Sequence, residues 1–232
     1  MASTFVNNLR LEEMATGEQS GTWGTKTNTN LELVGEALGF GTEAITTNAN
    51  THATTVADAT SDAGRAIYIS YTGALDSDCT ITISPDTMKR VHIIKNATTD
   101  SGSSGPYNIL IKQGSGGGAS VTIPNGDTKI VSLDGGGSGA IVTDVLDSLS
   151  VIDLKVQDDL TVTDDATIGG ALTVSGLTTA SAKLDLNGTE LILDADADTS
   201  ITADTDDQID IKIAGADDFT FTANTFTALS GS

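Results

Sequence analysis

With 232 residues the chain has room for one large domain or two to three small ones, and its make-up narrows the choice: 19% charged, 38% hydrophobic, 4% aromatic, with 25 glycines. Eleven Lys and Arg against 32 Asp and Glu give a formal charge of −21, a balance that phosphate backbones repel, so nucleic acid is not an expected partner. No apolar run reaches the roughly 18 residues of a membrane span, "MASTFVNNLRLEEM" has no apolar signal region, and Cys79, the only cysteine, excludes an intrachain disulfide framework.

Residues 1–45 stand apart. Phe5, Leu9 and Met14, and then Leu31, Val34 and Leu38, recur at intervals of three to five, the spacing by which a helix presents one face. Asn30 is placed to cap the second helix, and Gly39 or Gly41 to end it. Between the two patterns "GEQSGTWGTKTN" reads as a glycine-bracketed loop around Trp23, the only tryptophan. A tryptophan so placed either anchors local packing or docks onto a partner. The small, polar stretch 46–61 then reads as a linker.

From 62 to 148 the pattern turns to strands. "RAIYISYTG", "CTITISPD", "KRVHIIKNA", "YNILIKQG", "ASVTIPNGD", "TKIVSLDGGG" and "GAIVTDVL" are short alternating or β-branched runs between Gly, Pro, Asn and Asp. Their spacing predicts a β-sandwich-like domain, with Asn125-Gly126 and Asp134-Gly135 as turn dipeptides.

Beyond Leu149 the period becomes six: Leu154/Val156, Leu160/Val162, Ala166/Ile168 and Leu172/Val174. Residues two apart share a strand face, so each pair lies on one side. After Gly176 the units lengthen, through Leu184/Leu186, Leu191/Leu193, Ile201, Ile209/Ile211/Ile213 and Phe219/Phe221, with Asp-rich turns between them. No aromatic residue occurs from Asn108 to Asp218, and residues 149–232 carry 3 basic and 16 acidic side chains, a net −13. Four lean hexads fall short of the roughly nine that a single-chain β-helix needs before stacking buries enough surface. Three chains sharing one axis multiply the stripe, at roughly 1.5–3 kcal/mol for each buried Val or Leu. The expectation for 149–232 is therefore an intertwined trimeric β-shaft, its seam formed by Leu154, Val156, Leu160, Val162, Ile168, Leu172 and Val174.

Catalytic signals are sparse. His52 and His92 are the only histidines, and His92 alternates along a strand in "KRVHIIK", which gives it a structural reading. No nucleophile elbow, zinc-protease motif or Cys–His arrangement occurs, and "GSGGGAS" and "DGGGSGA" lack the Lys-Ser/Thr of a phosphate loop. Asp pairs could serve glycoside hydrolysis, but such carboxylates sit in aromatic-lined grooves and this acidic region lacks aromatics. Asp194, Asp196 and Asp198 take positions 1, 3 and 5 of a Ca²⁺ loop, yet Thr199 stands where the glycine is required and Thr205 where the closing Glu belongs. They read as solvated turn carboxylates; a cation shared by three converging copies of one Asp is the rival. No metal or other cofactor is expected.

Four segments carry a resemblance: "LRLEEMATGEQSGTWGTKTNTNLELVGEALGFGTEAI", "VTIPNGDTKIVSLDGGGSGAIVTDVL", "DDLTVTDDATIGGALTVSGLTT" and "LILDADADTSITADTDDQIDIKIAGADDFTF". Together they resemble the N-terminal and shaft portions of tail-fibre proteins of marine bacteriophages, over most of the chain. The first and fourth are the distinctive ones, because many trimeric fibres share hexads. The resemblance implies a homotrimer fastened by its N-terminal region to tail or baseplate proteins, a β-rich spacer, and a distal fibre part or host surface receptor at the far C-terminal end. It also implies a virion location for a protein made in the host cytoplasm, without membrane insertion.

The full expectation is a mainly β fold with a short helical N-terminal anchor, a β-sandwich-like domain and the trimeric shaft. Trp23, Leu31, Val34 and Leu38 are the expected tail-docking residues. A tailspike depolymerase would need a parallel β-helix with clustered carboxylates and aromatics. A cell-surface adhesin would need an export signal and Ca²⁺-binding nonapeptides.

Overall fold

Apolar residues at every second position give a strand one wet face and one dry face, and between Phe40 and Asp144 the strands turn their dry faces toward a common centre. The structure, a computed structural model, describes residues 2–46, 49–102, 104–187 and 189–229 and is mainly β, with one α-helix among the described residues, near the N-terminus. The chain divides into two units, 1–155 and 156–232.

In the first unit, helix α1 (Trp23–Ala37) leads into β1 (Phe40–Ala44) and β2 (Thr51–Thr55). Then come β3 (Tyr68–Thr72), β4 (Ala74–Leu75) and β5 (Cys79–Ser84), followed by β6 (Lys89–Asn96), β7 (Thr99–Asp100) and β8 (Ile109–Gln113). Each group is one turn of a coil. Strands β1, β3 and β6 pair in parallel, Phe40 beside Tyr68 beside Ile93. Strands β2, β5 and β8 do the same, Thr51 beside Thr80 beside Leu110, and β4 lies parallel to β7. Three antiparallel strands finish the coil: β9 (Val121–Ile123) on β8, β10 (Thr128–Asp134) on β6, and β11 (Val142–Asp144) on β10.

Stacking puts like side chains on like. Cys79, Ile81 and Ile83 of β5 lie inward beside Ile109, Ile111 and Gln113 of β8, while their Thr, Ser, Leu and Lys neighbours stay half-buried outside. Ile69 and Tyr71 of β3 and Ile94 of β6 enter the same core from the other sheet. Each fully buried isoleucine contributes about 1.5–3 kcal/mol. Two sheets do face one another across one core, as a sandwich requires, but consecutive strands of a sheet are a whole coil apart. Sequence turns cannot distinguish these cases: Asn125-Gly126 joins β9 to β10, which belong to different sheets. Asp134-Gly135 does lie in an in-sheet connection, between β10 and β11, where the Asp134 carboxylate accepts the Gly136 and Ile141 amides. Those bonds hold its carboxyl below the usual carboxylate range.

Near the N-terminus the structure corrects two expectations. The Phe5/Leu9/Met14 pattern forms no helix; residues 2–22 are a folded loop closed by a bridge between Thr4 and Glu13. The Asn7 side chain accepts from the Leu9 and Leu11 amides, a local alternative to helical bonding, and Arg10 has a positive φ of 53°. The second helix begins at Trp23, seven residues before Asn30. Asn30 is internal, and its side chain accepts from the Glu12 amide and donates to the Glu12 carbonyl. The expected linker contains β2, residues 47–48 lying outside the described ones, and no strand or helix occurs among the described residues from 145 to 190.

Arg65 ties the loop to the coil. Fully buried, its guanidinium donates to the Leu9, Ala57 and Thr60 carbonyls and to the Asp62 carboxylate. Burial outweighs this cation at Asp62 and pushes its carboxyl up. Close approach is needed here too: a Cβ on Gly41 would stand 2.4 Å from the Ala63 carbonyl oxygen. Replacing Arg65 by Met strands those carbonyls and costs about 3–5 kcal/mol. Urea denaturation measures that loss, and limited proteolysis will find the 2–22 loop released first.

His92 is fully buried on β6, its Nδ1 donating to the Ala66 carbonyl. Burial, reinforced by Arg90, pulls its imidazole down to about 4. Its stabilising contribution is thus complete above about pH 6.5, the ordinary value. It is lost as pH falls from there through about 4. The melting midpoint should drop across that window, and less steeply in His92→Gln, which cannot take up the proton.

Candidate functional site

Helix α1 turns about 100° per residue, which places Trp23, Val34, Leu38 and Leu31 within an arc of about 80°. The buried side is the neighbouring one, formed by Leu33 and Ala37. Trp23, Leu31 and Leu38 are 66%, 64% and 74% exposed. Trp23 opens the helix, so it neither sits in a loop nor anchors a core. Three of the four expected docking residues, Trp23, Leu31 and Leu38 at the helix end, thus lie exposed along one stripe, with Val34 half-buried between them. Phe40, 67% exposed and stacked on Tyr68 at 5.1 Å, extends the apolar surface just past the helix end. Sequence reasoning passed over Phe40, although its flanking Gly39 and Gly41 marked it as the same kind of displayed aromatic as Trp23.

All seven seam residues, Leu154, Val156, Leu160, Val162, Ile168, Leu172 and Val174, are exposed on chain that makes no strand pairing. Each hexad keeps its apolar pair, and nothing in the single chain covers it.

In the second unit five strands form an antiparallel meander: β12 (Leu191–Ile192), β13 (Ser200–Thr202), β14 (Ile209–Ile213), β15 (Ala216–Thr222) and β16 (Thr225–Ala228). The turn into β13 carries Asp194, Asp196 and Asp198, which can bring one carboxylate oxygen each within 4.8 Å of the others. The Thr199 hydroxyl and amide hold the Asp194 carboxyl below the usual range. Asp198 is pushed the other way, by partial desolvation and by Asp196 and Asp194. The turn thus stores like-charge repulsion, which is also the ordinary state of a solvated acidic loop.

Relieving that repulsion should stabilise. Asp198→Asn is expected to raise the melting midpoint at pH 7, with the gain shrinking toward pH 4 as the native carboxyl takes up its proton; thermal melts at the two pH values check it. No protein-family model, curated protein or solved structure matches the chain.

Proposed function

We propose that the protein is a structural component of a virion, a homotrimeric phage tail fibre. Residues 1–45 fasten it to tail or baseplate proteins through the Trp23, Leu31, Val34 and Leu38 stripe, and the chain beyond 149 projects toward the host as a shaft. The observation that carries this reading is the segment 149–187, which holds the regular apolar repeat of 154–174, is exposed throughout and makes no strand pairing. A repeat kept at six-residue spacing along one chain without a core of its own supports further copies lying along it. The stripe on α1 supplies a surface for attachment, and the resemblance to marine-phage tail fibres gives attachment and shaft one purpose.

One observation favours the alternative, a polysaccharide-cleaving tailspike: the first unit is a stack of parallel coils. Its inward positions are filled by Ile, Cys, Tyr and Asn, and the three-carboxylate cluster lies in the second unit. The protein is accordingly read as non-enzymatic, and reducing-sugar release from host capsule would reverse that reading.

Val162→Asp together with Leu172→Asp places two charges on the shared stripe and should prevent the shaft from forming. Light scattering of the wild type is expected to give the mass of three chains, and limited proteolysis of the double variant is expected to show loss of protease resistance across 149–187. An unchanged resistance removes the seam. Negative-stain images of virions labelled at the N-terminus should show the label beside the tail, and distal labelling overturns the proposed attachment.

A further inference from the structure

The five-stranded meander of the second unit has its two faces sorted by polarity. In register across the sheet, Leu191 lies beside Ile201, Ile211 and Phe219, and Ile209 beside Phe221 and Phe226. These rows share one face. The other carries Ser200, Thr202, Asp210, Lys212, Thr220 and Thr227, with Thr222 paired to Thr225 and a single exposed apolar residue, Ile192, on the edge strand. That polar face is the satisfied one: Thr220 and Gln208 donate to Asp210, and Lys212 pairs with Glu190. Among the described residues the two buried ones of this unit, Ser200 and Asp210, belong to it. The apolar face stays open, with Leu191, Ile209, Phe221 and Phe226 all exposed. In an ordinary one-layer sheet the apolar face packs and the polar face is wet. Here the apolar face is largely open: its central Ile201, Ile211 and Phe219 are half-buried, and Leu184 and Leu186 flank one end of it.

We propose that this face is an interface between copies of the same chain, with three modules packing apolar face to apolar face around a common axis. The inference extends the homotrimeric reading to a second surface, independent of the hexads. Three features identify the occupant as the chain itself. The apolar rows themselves contain no charged side chain, with Lys183 and Asp185 in the adjoining groove, so copies can meet on the rows without burying the acidic groups that give 149–232 its net −13. Size is the second. Strands of two to seven residues, about 4.8 Å apart with about 3.3 Å per residue, present roughly 330 Å². A single pairing of two such faces buries about 660 Å², below the roughly 1,000 Å² of a stable interface, so the face needs more than one neighbouring copy. Continuity is the third: Leu184 and Leu186 of the preceding segment line one groove with Leu191, Ile201 and Ile209, so the exposed stripe runs into the open face.

Cysteine pairing in the full chain tests the interface without needing a disruptive variant, because native Cys79 is buried and out of reach. Ile209→Cys, on the middle strand, should form disulfide-linked dimers under mild oxidation more than about tenfold faster than Thr222→Cys on the polar face, since neighbours in an assembly meet at high effective concentration. Equal rates, or a one-chain mass at micromolar concentration, overturn the proposal. Repeating the assay with Val162→Asp and Leu172→Asp separates the two surfaces. Linkage that persists when the shaft is broken supports the sheet interface by itself; an intact trimer in which Ile209→Cys fails to link removes the sheet interface and leaves the shaft.

Discussion

The first unit depends on parallel register. With Ile81 beside Ile111 and Ile69 beside Ile94, each turn of the coil must close in nearly the length of the one below, because a slip of one residue would turn an inward isoleucine to solvent. The connections adapt to that demand. From Phe40 to Tyr68 is 28 residues and from Tyr68 to Ile93 is 25, yet the strand positions coincide. Slack is absorbed where the chain leaves the sheets, in the 56–67 region that carries Arg65 and in the glycine-rich segments near β8 and β11. The inward polar residues also serve the stack. Asn96 donates to the Tyr107 and Ile123 carbonyls, and Gln113 to the Pro85 and Met88 carbonyls, each tying one turn to a neighbouring connection.

The N-terminal loop is held by a different kind of bond. Its grip is polar and buried: Arg65 on the Leu9 carbonyl, Asn30 on the Glu12 backbone, and Lys26 on the Glu12 carboxylate. Interactions of this type specify one arrangement strongly, since a buried donor left unmatched is expensive. Helix α1 is thereby fixed against its own loop while its apolar stripe is left free. A rigid helix that displays Trp23 and Leu38 presents a preformed surface, which lowers the ordering cost of whatever it meets.

Much of this was legible in the chain. Alternation in "CTITISPD" and "YNILIKQG" located β5 and β8 and their inward residues, because period two has a single structural meaning in a short β-branched run. Their parallel stacking was hidden, since pairing partners some 30 residues apart leave no local trace. Asn30 resembles a cap and so points to a helix start later than the true one at Trp23; its actual partner, Glu12, is 18 residues away, beyond any capping rule. Leu31 and Leu38 were read from spacing alone, and spacing could not say that Leu33 and Ala37 would take the buried side. In the second unit Ile209, Ile211, Phe219 and Phe221 were visible as strand residues. That their shared face would be left open is a property of the whole meander, which becomes apparent only when all five strands are in register.

The one thiol bears on a different matter. Cys79 is sealed inside the coil between apolar neighbours, where burial pushes its thiol up and away from the reactive thiolate. With a single cysteine, and that one buried, the fold has no intrachain disulfide to form or to lose, so its covalent connectivity is the same under reducing and oxidising conditions.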